Sequence, residues 1–172
     1  FPSTTVFRSC GELVLLDTDE IQDGLELLAA KITAMDADIL LLQEVDTDSK
    51  RSAYIDQVQW LLDNTAMNYG VYASMWEVQF VPSDGLGRVN TGNAILSRWP
   101  LSEAERIQLS LRGDQDDLTK AFYVRRNVLR AKVNYPGRFF WAVDIHASAF
   151  SNDDTKQKQY VEFKEVLDEL DT

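Results

Sequence analysis

Two ionisable residues stand at the ends of apolar runs, a placement suited to chemistry. Ile39-Leu40-Leu41-Leu42 leads into Gln43-Glu44, and Phe139-Phe140-Trp141-Ala142-Val143-Asp144-Ile145 leads into His146. Layered α/β proteins put their ligands at strand ends, so Glu44 is a candidate metal ligand or catalytic carboxylate. His146 is the only histidine, and its ordinary pKa of about 6.5 suits it to proton transfer near neutrality. The competing readings are a solvated strand-end glutamate and a histidine held in structural hydrogen bonds. No Gly-x-Ser-x-Gly elbow, Walker loop, Gly-x-Gly-x-x-Gly or His-Glu-x-x-His occurs, which removes the hydrolase, nucleotide-binding and zinc-protease templates built on them. With one histidine and one cysteine, Cys10, a His/Cys transition-metal site is not expected. A hard cation on oxygen ligands remains open, since Mg²⁺ often takes one or two carboxylates and fills its shell with water and phosphate.

The elements that must position these residues follow from periodicity. Ile21, Leu25, Leu28 and Ile32 form one helical stripe, with Asp17-Thr18-Asp19 as its cap. The run ending at Glu44 reads as a central strand buried on both faces. A second helix is expected from about Ser52, its cap, to Ala66, with Tyr54, Val58, Leu61 and Thr65 on one face. Val71 to Phe80 is rich in aromatic and β-branched residues, and a turn-rich loop from Pro82 to Gly87 follows. Ala94-Ile95-Leu96, between Gly92-Asn93 and Pro100, is too short for a helix and reads as a buried strand. Residues 104 to 111 and Tyr123 to Val133 alternate as strands of one antiparallel stretch. Tyr135-Pro136-Gly137-Arg138 turns into the strand that ends at His146. A last helix, about Asp154 to Leu170, carries Tyr160, Phe163, Leu167 and Leu170 on one stripe. Helix-length and hairpin-length connections are thus mixed, which fits a sheet-based α/β layer structure.

The 172 residues favour a single domain with one sizeable core. A balance of 17 Lys+Arg against 28 Asp+Glu gives a formal charge of −11, which opposes non-specific attraction to nucleic-acid phosphates and anionic membranes. A phosphate-bearing ligand would need a local basic patch or a bound cation. No apolar run approaches the roughly 18 residues of a membrane span. Neither the compartment nor the oligomeric state can be read from the chain.

Three stretches, in this order, resemble the endonuclease/exonuclease/phosphatase superfamily of Mg²⁺-dependent phosphoesterases, whose fold is DNase I-like. Asp38-Ile39-Leu40-Leu41-Leu42-Gln43-Glu44-Val45 is similar to its Gln-Glu strand. Gly92-Asn93-Ala94-Ile95-Leu96-Ser97-Arg98-Trp99-Pro100-Leu101 looks like its Gly-Asn-Ala-Ile-Leu-Ser-Arg strand. Val143-Asp144-Ile145-His146-Ala147-Ser148 is placed like its strand ending in a phosphate-contacting histidine, and Arg125-Arg126-Asn127-Val128-Leu129-Arg130 like the strand before it. The resemblance implies a partial four-layer α/β sandwich with mixed, largely antiparallel sheets. It also implies that the chain is roughly the first two thirds of such a domain. The family's opening strand with its Asn, its Gly-Asp-x-Asn motif and its Ser-Asp-His are absent from the sequence.

By the same resemblance, water attacks a phosphoester in line, with Mg²⁺, or Mn²⁺ in its place, as Lewis acid. Glu44 binds the metal and His146 contacts the phosphate or the leaving oxygen. Arg126, or alternatively Arg125, neutralises phosphate charge, and Asn93 lines the site or braces its loop. Ser97, Arg98 and Trp99 are read as fixing a turn, and Asp46 and Asp48 as solvated loop acids. The acidic total leans away from long nucleic acid and toward a phospholipid headgroup or another small phosphoester. The alternative from another class is a non-catalytic binding or scaffold relative of the same fold.

Overall fold

The computed structural model describes residues 17–81, 87–116, 124–149 and 151–170. Residues 82–86 of the expected loop, Cys10 and Tyr123, the first residue of the alternation expected to Val133, lie outside the described residues. The order is α1 (Thr18–Met35), β1 (Ile39–Asp46), a 3₁₀ turn (Lys50–Ser52), α2 (Gln57–Asn64), β2 (Tyr69–Val81), β3 (Gly87–Ser97), β4 (Leu101–Gln108), β5 (Asn127–Tyr135), β6 (Arg138–Ile145) and α3 (Thr155–Leu170). Two three-stranded sheets form, ordered β1-β3-β2 and β4-β5-β6. Every ladder among the described residues is antiparallel.

Three apolar clusters separate four layers. Ile32 and Leu61 of the first two helices pack on Leu40 and Leu96. Ala73 and Ile95 of the first sheet meet Leu129, Ala131, Val133 and Ala142 of the second. Val166 of α3 covers Val128 and Leu109. Helix, sheet, sheet and helix therefore stack in that order, as the alternation of Leu129 inward and Val128 outward requires.

Several expectations are corrected. Among the described residues β1 flanks its sheet, and Leu41 is 48% exposed. The strand buried on both faces is β3, whose residues from Thr91 to Ser97 are all buried. A flanking strand and a central one are equally apolar here, so composition did not separate them. The second helix does not start at Ser52. Ala53 and Tyr54 adopt left-handed backbone, φ 51° and 59°, which ends the 3₁₀ turn, and Asp56 caps α2 by accepting from the Gln59 amide at 3.0 Å. The last helix buries Thr155, Gln159 and Val166 rather than Tyr160 and Leu167, which are exposed. Its face is set by Gln159, which accepts from the Ser148 amide (2.8 Å) and donates to the Ser110 carbonyl (2.7 Å). A buried amide with its bonds made holds a helix face as firmly as an apolar residue.

The first helix matches its expected cap, with Asp17 and Glu20 forming a reciprocal capping box. The turn after β3 is tied by Trp99, whose amide donates to Ser97 Oγ (2.9 Å), and by Arg98, which pairs with Asp36 (2.5 Å) and Asp38 (3.4 Å).

Candidate active site

The apolar interior between the sheets ends in a polar layer. On β3, Ile95 faces the second sheet, so Asn93, two residues earlier, faces it too. Its Nδ2 donates to the carbonyl and the Oδ1 of Asn127, both at 3.3 Å, and Asn127 Nδ2 donates to the Ser74 carbonyl at 3.1 Å. From β6, Asp144 and His146 follow Ala142 on the same inward face. Gln43 closes the layer from β1, its Nε2 donating to Asp144 Oδ1 (3.2 Å) and to the Ile145 carbonyl (2.6 Å).

A pair of bulges shapes this layer. Leu42 pairs with Ala94 and Val45 with Gly92, so Gln43 and Glu44 together face Asn93 alone. On the other side of β3, Ser74 pairs with Gly92 and Trp76 with Thr91, which leaves Met75 as an extra residue. Strict alternation would send Glu44 to the face opposite Gln43. The bulge, with Glu44 at φ 57°, turns the carboxylate toward the end of β6 instead. There Glu44 Oε1 lies 3.7 Å from His146 Nε2, with the glutamate side chain 64% exposed. Gly92 permits the close packing between the bulges, since a Cβ there would sit 2.2 Å from the Ala73 carbonyl oxygen.

Arg126 decides the state of His146. Its Nη1 lies 2.9 Å from His146 Nδ1, and a guanidinium only donates. Nδ1 therefore accepts, and the ring's proton resides on Nε2, the nitrogen that faces Glu44. Burial pushes the His146 pKa below its usual value, and the Arg126 cation lowers it further, partly offset by Glu44. Burial also raises the Asp144 carboxyl to about 6, against hydrogen bonds from Gln43 and the Ile145 amide.

Glu44, His146 and Arg126 are thus brought together. Arg125 is not with them: its amide donates to the Met75 carbonyl (2.7 Å) and its side chain lines a groove beside β2. Asn93 is fully buried and bonded to Asn127, so it braces the polar layer, the second of the two roles expected of it. Asp46 is corrected as well. It is buried, and Arg51 grips it with Nε at 2.8 Å and Nη2 at 2.9 Å while also donating to Thr91 Oγ1 at 3.2 Å. Asp48 pairs with Arg88 at 2.8 Å. Sequence reading missed Gln43, Asn127 and Asp144 as structural members of the site. For Asp144 a signal was present, because two residues before His146 on a strand is the same face.

The polar groups at the surface of this site are a carboxylate, which can accept hydrogen bonds or ligate a cation, and an imidazole N–H and a guanidinium, which donate. No group of three or more His, Cys, Asp or Glu side chains is gathered among the described residues. That set fits a hard cation that takes one protein carboxylate and completes its shell with water and phosphate. It does not fit a transition metal that needs several nitrogen or sulfur ligands.

The family model described as "Endonuclease/Exonuclease/phosphatase family" matches residues 19–170. The chain belongs to the endonuclease/exonuclease/phosphatase family. Among solved structures, this family member superposes on an endonuclease/exonuclease/phosphatase from Beutenbergia cavernae with a TM-score of 0.63 at 22% identity, over 84% of this chain and 38% of that one. It superposes on the human Nocturnin catalytic domain with a TM-score of 0.55 at 19% identity, over 86% and 52%. For sphingomyelinase C from Streptomyces griseocarneus the values are 0.54, 18%, 87% and 53%. The four-layer arrangement is therefore the DNase I-like fold, and the chain spans about two fifths to just over half of the length of these structures. A search among curated proteins finds no significant match.

Proposed function

We propose that this family member hydrolyses phosphoester bonds with a divalent cation, Mg²⁺ or Mn²⁺, held at Glu44. The observation that carries the reading is the Arg126 to His146 contact, which leaves an Nε2–H donor beside an exposed carboxylate. Bound at Glu44, the cation would supply Lewis-acid polarisation of the phosphoryl oxygens and offset charge on the leaving oxygen. His146, kept neutral by burial and by Arg126, donates Nε2–H to a phosphoryl or leaving oxygen. Arg126 adds a fixed positive charge behind the imidazole. Gln43 holds the bulge against β6, so that Glu44 and His146 keep their spacing as the substrate changes charge. The Nocturnin structure contains a bound sulfate anion, a tetrahedral oxyanion of phosphate's shape, which supports a site of this kind in the fold. A formal charge of −11 favours a small phosphoester or a headgroup over long nucleic acid.

The test is hydrolysis of bis(4-nitrophenyl) phosphate and 4-nitrophenyl phosphate by the full-length protein, with Mg²⁺, with Mn²⁺ and with EDTA. Turnover is expected only with metal, and Glu44→Gln should lower it by about two orders of magnitude or more, in keeping with several kcal/mol of lost stabilisation. Turnover that persists in EDTA would sink the metal reading.

A further inference from the structure

Beside the site runs a groove of about 720 Å³, lined by β2 from Ser74 to Phe80 together with Arg106, Gln108 and Arg125. Met75, which lines the groove, has its Sδ 3.9 Å from Arg126 Nη1, so one residue borders both the groove and the Arg126 side of the site. Its walls combine apolar surface with two guanidinium groups, and Phe80 stands 70% exposed along it.

Arg51, Arg88, Arg98, Arg112 and Arg130 each pair with a carboxylate. Arg106 instead donates Nε to the Ser74 carbonyl (2.8 Å) and Nη2 to the Arg125 carbonyl (3.3 Å). The first of those bonds ties β4 to the edge of β2 and the second to the segment before β5, which gives Arg106 a structural role. They engage two of the five N–H donors of a guanidinium, and no acceptor for the other three is found among the described residues. Burial disfavours the Arg106 cation and the neighbouring Arg125 disfavours it further, so two like charges stand together, neither of them in an ion pair among the described residues. Glu77, which also lines the groove, limits how far along it an anion can be bound.

We infer that this groove is a second binding site that selects small phosphoesters carrying a second phosphate, with Arg106 and Arg125 holding that phosphate and Phe80 packing against the attached organic group. The inference rests on the reading of Glu44, His146 and Arg126 as the place of the scissile phosphate. A planar guanidinium held by backbone carbonyls, as Arg106 is, with a second guanidinium beside it suits phosphate geometry, and an exposed aromatic face favours a ring such as a nucleobase over a sugar alone.

The experiment is isothermal titration of the full-length protein, in Mg²⁺, with adenosine 3′,5′-bisphosphate, adenosine 5′-monophosphate, fructose 1,6-bisphosphate and fructose 6-phosphate. Each bisphosphate should bind about tenfold tighter or more than its monophosphate, which corresponds to about 1.4 kcal/mol. Arg106→Gln should erase that ratio and leave monophosphate affinity unchanged, whereas Arg106→Lys should keep part of it. Phe80→Ala, at an exposed position that folding does not need, should weaken the adenosine compounds and not the fructose ones. Equal affinity for mono- and bisphosphates, or an equal loss for both in Arg106→Gln with an unaltered melting temperature, overturns the inference. If the protein fails to hydrolyse any phosphoester yet shows the Arg106-dependent ratio, the groove stands and the hydrolase reading falls. If it hydrolyses phosphoesters without that ratio, the groove falls and the hydrolase reading stands.

Discussion

At the scale of single residues, His146 gives a direct reading of its own surroundings, because it is the only histidine in the sequence. The His146 imidazole resonance should titrate in the metal-free protein with a midpoint below about 6.5. Arg126→Met should move that midpoint up, since it removes a neighbouring cation, and Glu44→Gln should move it down, since it removes the stabilising anion. A midpoint unchanged by Arg126→Met would contradict the contact at Nδ1. Linkage fixes how this group acts on stability. A histidine with a lowered folded pKa binds fewer protons folded than unfolded, so its contribution is present above about 6.5 and is lost as pH falls below that value. Asp144 acts with the opposite sign. Its carboxyl is raised to about 6 by burial, so the stability linked to its neutral form is lost as pH rises from the ordinary carboxylate range through 6. Asp144 Oδ2 is also buried without a hydrogen-bond partner among the described residues. Asp144→Asn should therefore raise the melting temperature at pH 7.5, and the gain should shrink toward zero near pH 4. An equal gain at both values would show that the carboxylate is not buried as described.

At the scale of elements, the paired bulges around Gly92 are the device that makes the site. Gly92→Ala places a Cβ against the Ala73 carbonyl and should destabilise by roughly 1–3 kcal/mol, the range of overpacked interiors, as measured by urea denaturation. Glu44 holds its place in the strand at φ 57°, an unfavourable region for a residue with a Cβ. Glu44→Gly should accordingly be more stable than Glu44→Ala by about 1 kcal/mol, and both should lack activity. Equal stability of the two would argue against left-handed backbone at this position. Much of the element pattern was legible beforehand. The apolar spacing from Ile21 to Ile32 gave α1, although Ala29 and not the exposed Leu28 completes its buried stripe, and Tyr135-Pro136-Gly137-Arg138 gave the β5 to β6 hairpin, because each signal is local. The bulges were not legible, since a bulge depends on what the neighbouring strand does. The same holds for α3, where buried Gln159 made partners only in loops more than ten residues away, and for α2, where two left-handed residues cut short an uninterrupted apolar spacing.

At the scale of the whole molecule, the site was half legible. Glu44 and His146 stood out because each follows an apolar run, and the layer order then brings them together from different sheets. Arg126 could not be separated from Arg125 by sequence, since adjacent strand residues point opposite ways and only the register tells which one reaches His146. Asp46 was misread because an acid after a strand is usually solvated, and its clamp, Arg51, lies across a turn whose form the sequence did not disclose. The burial of β3 on both faces, flanked by β1 and β2, has a consequence in time. The amides of Ala94, Ile95 and Leu96 should exchange with solvent deuterium only when the whole molecule opens, and those at the end of β2 near Phe80 much sooner. The bulge that carries Glu44 is hydrogen-bonded to the slowest part of the chain, while the groove lies along a faster edge. One end of a bound phosphoester would then meet a wall that is fixed over hours, and the other a wall that adjusts far more quickly.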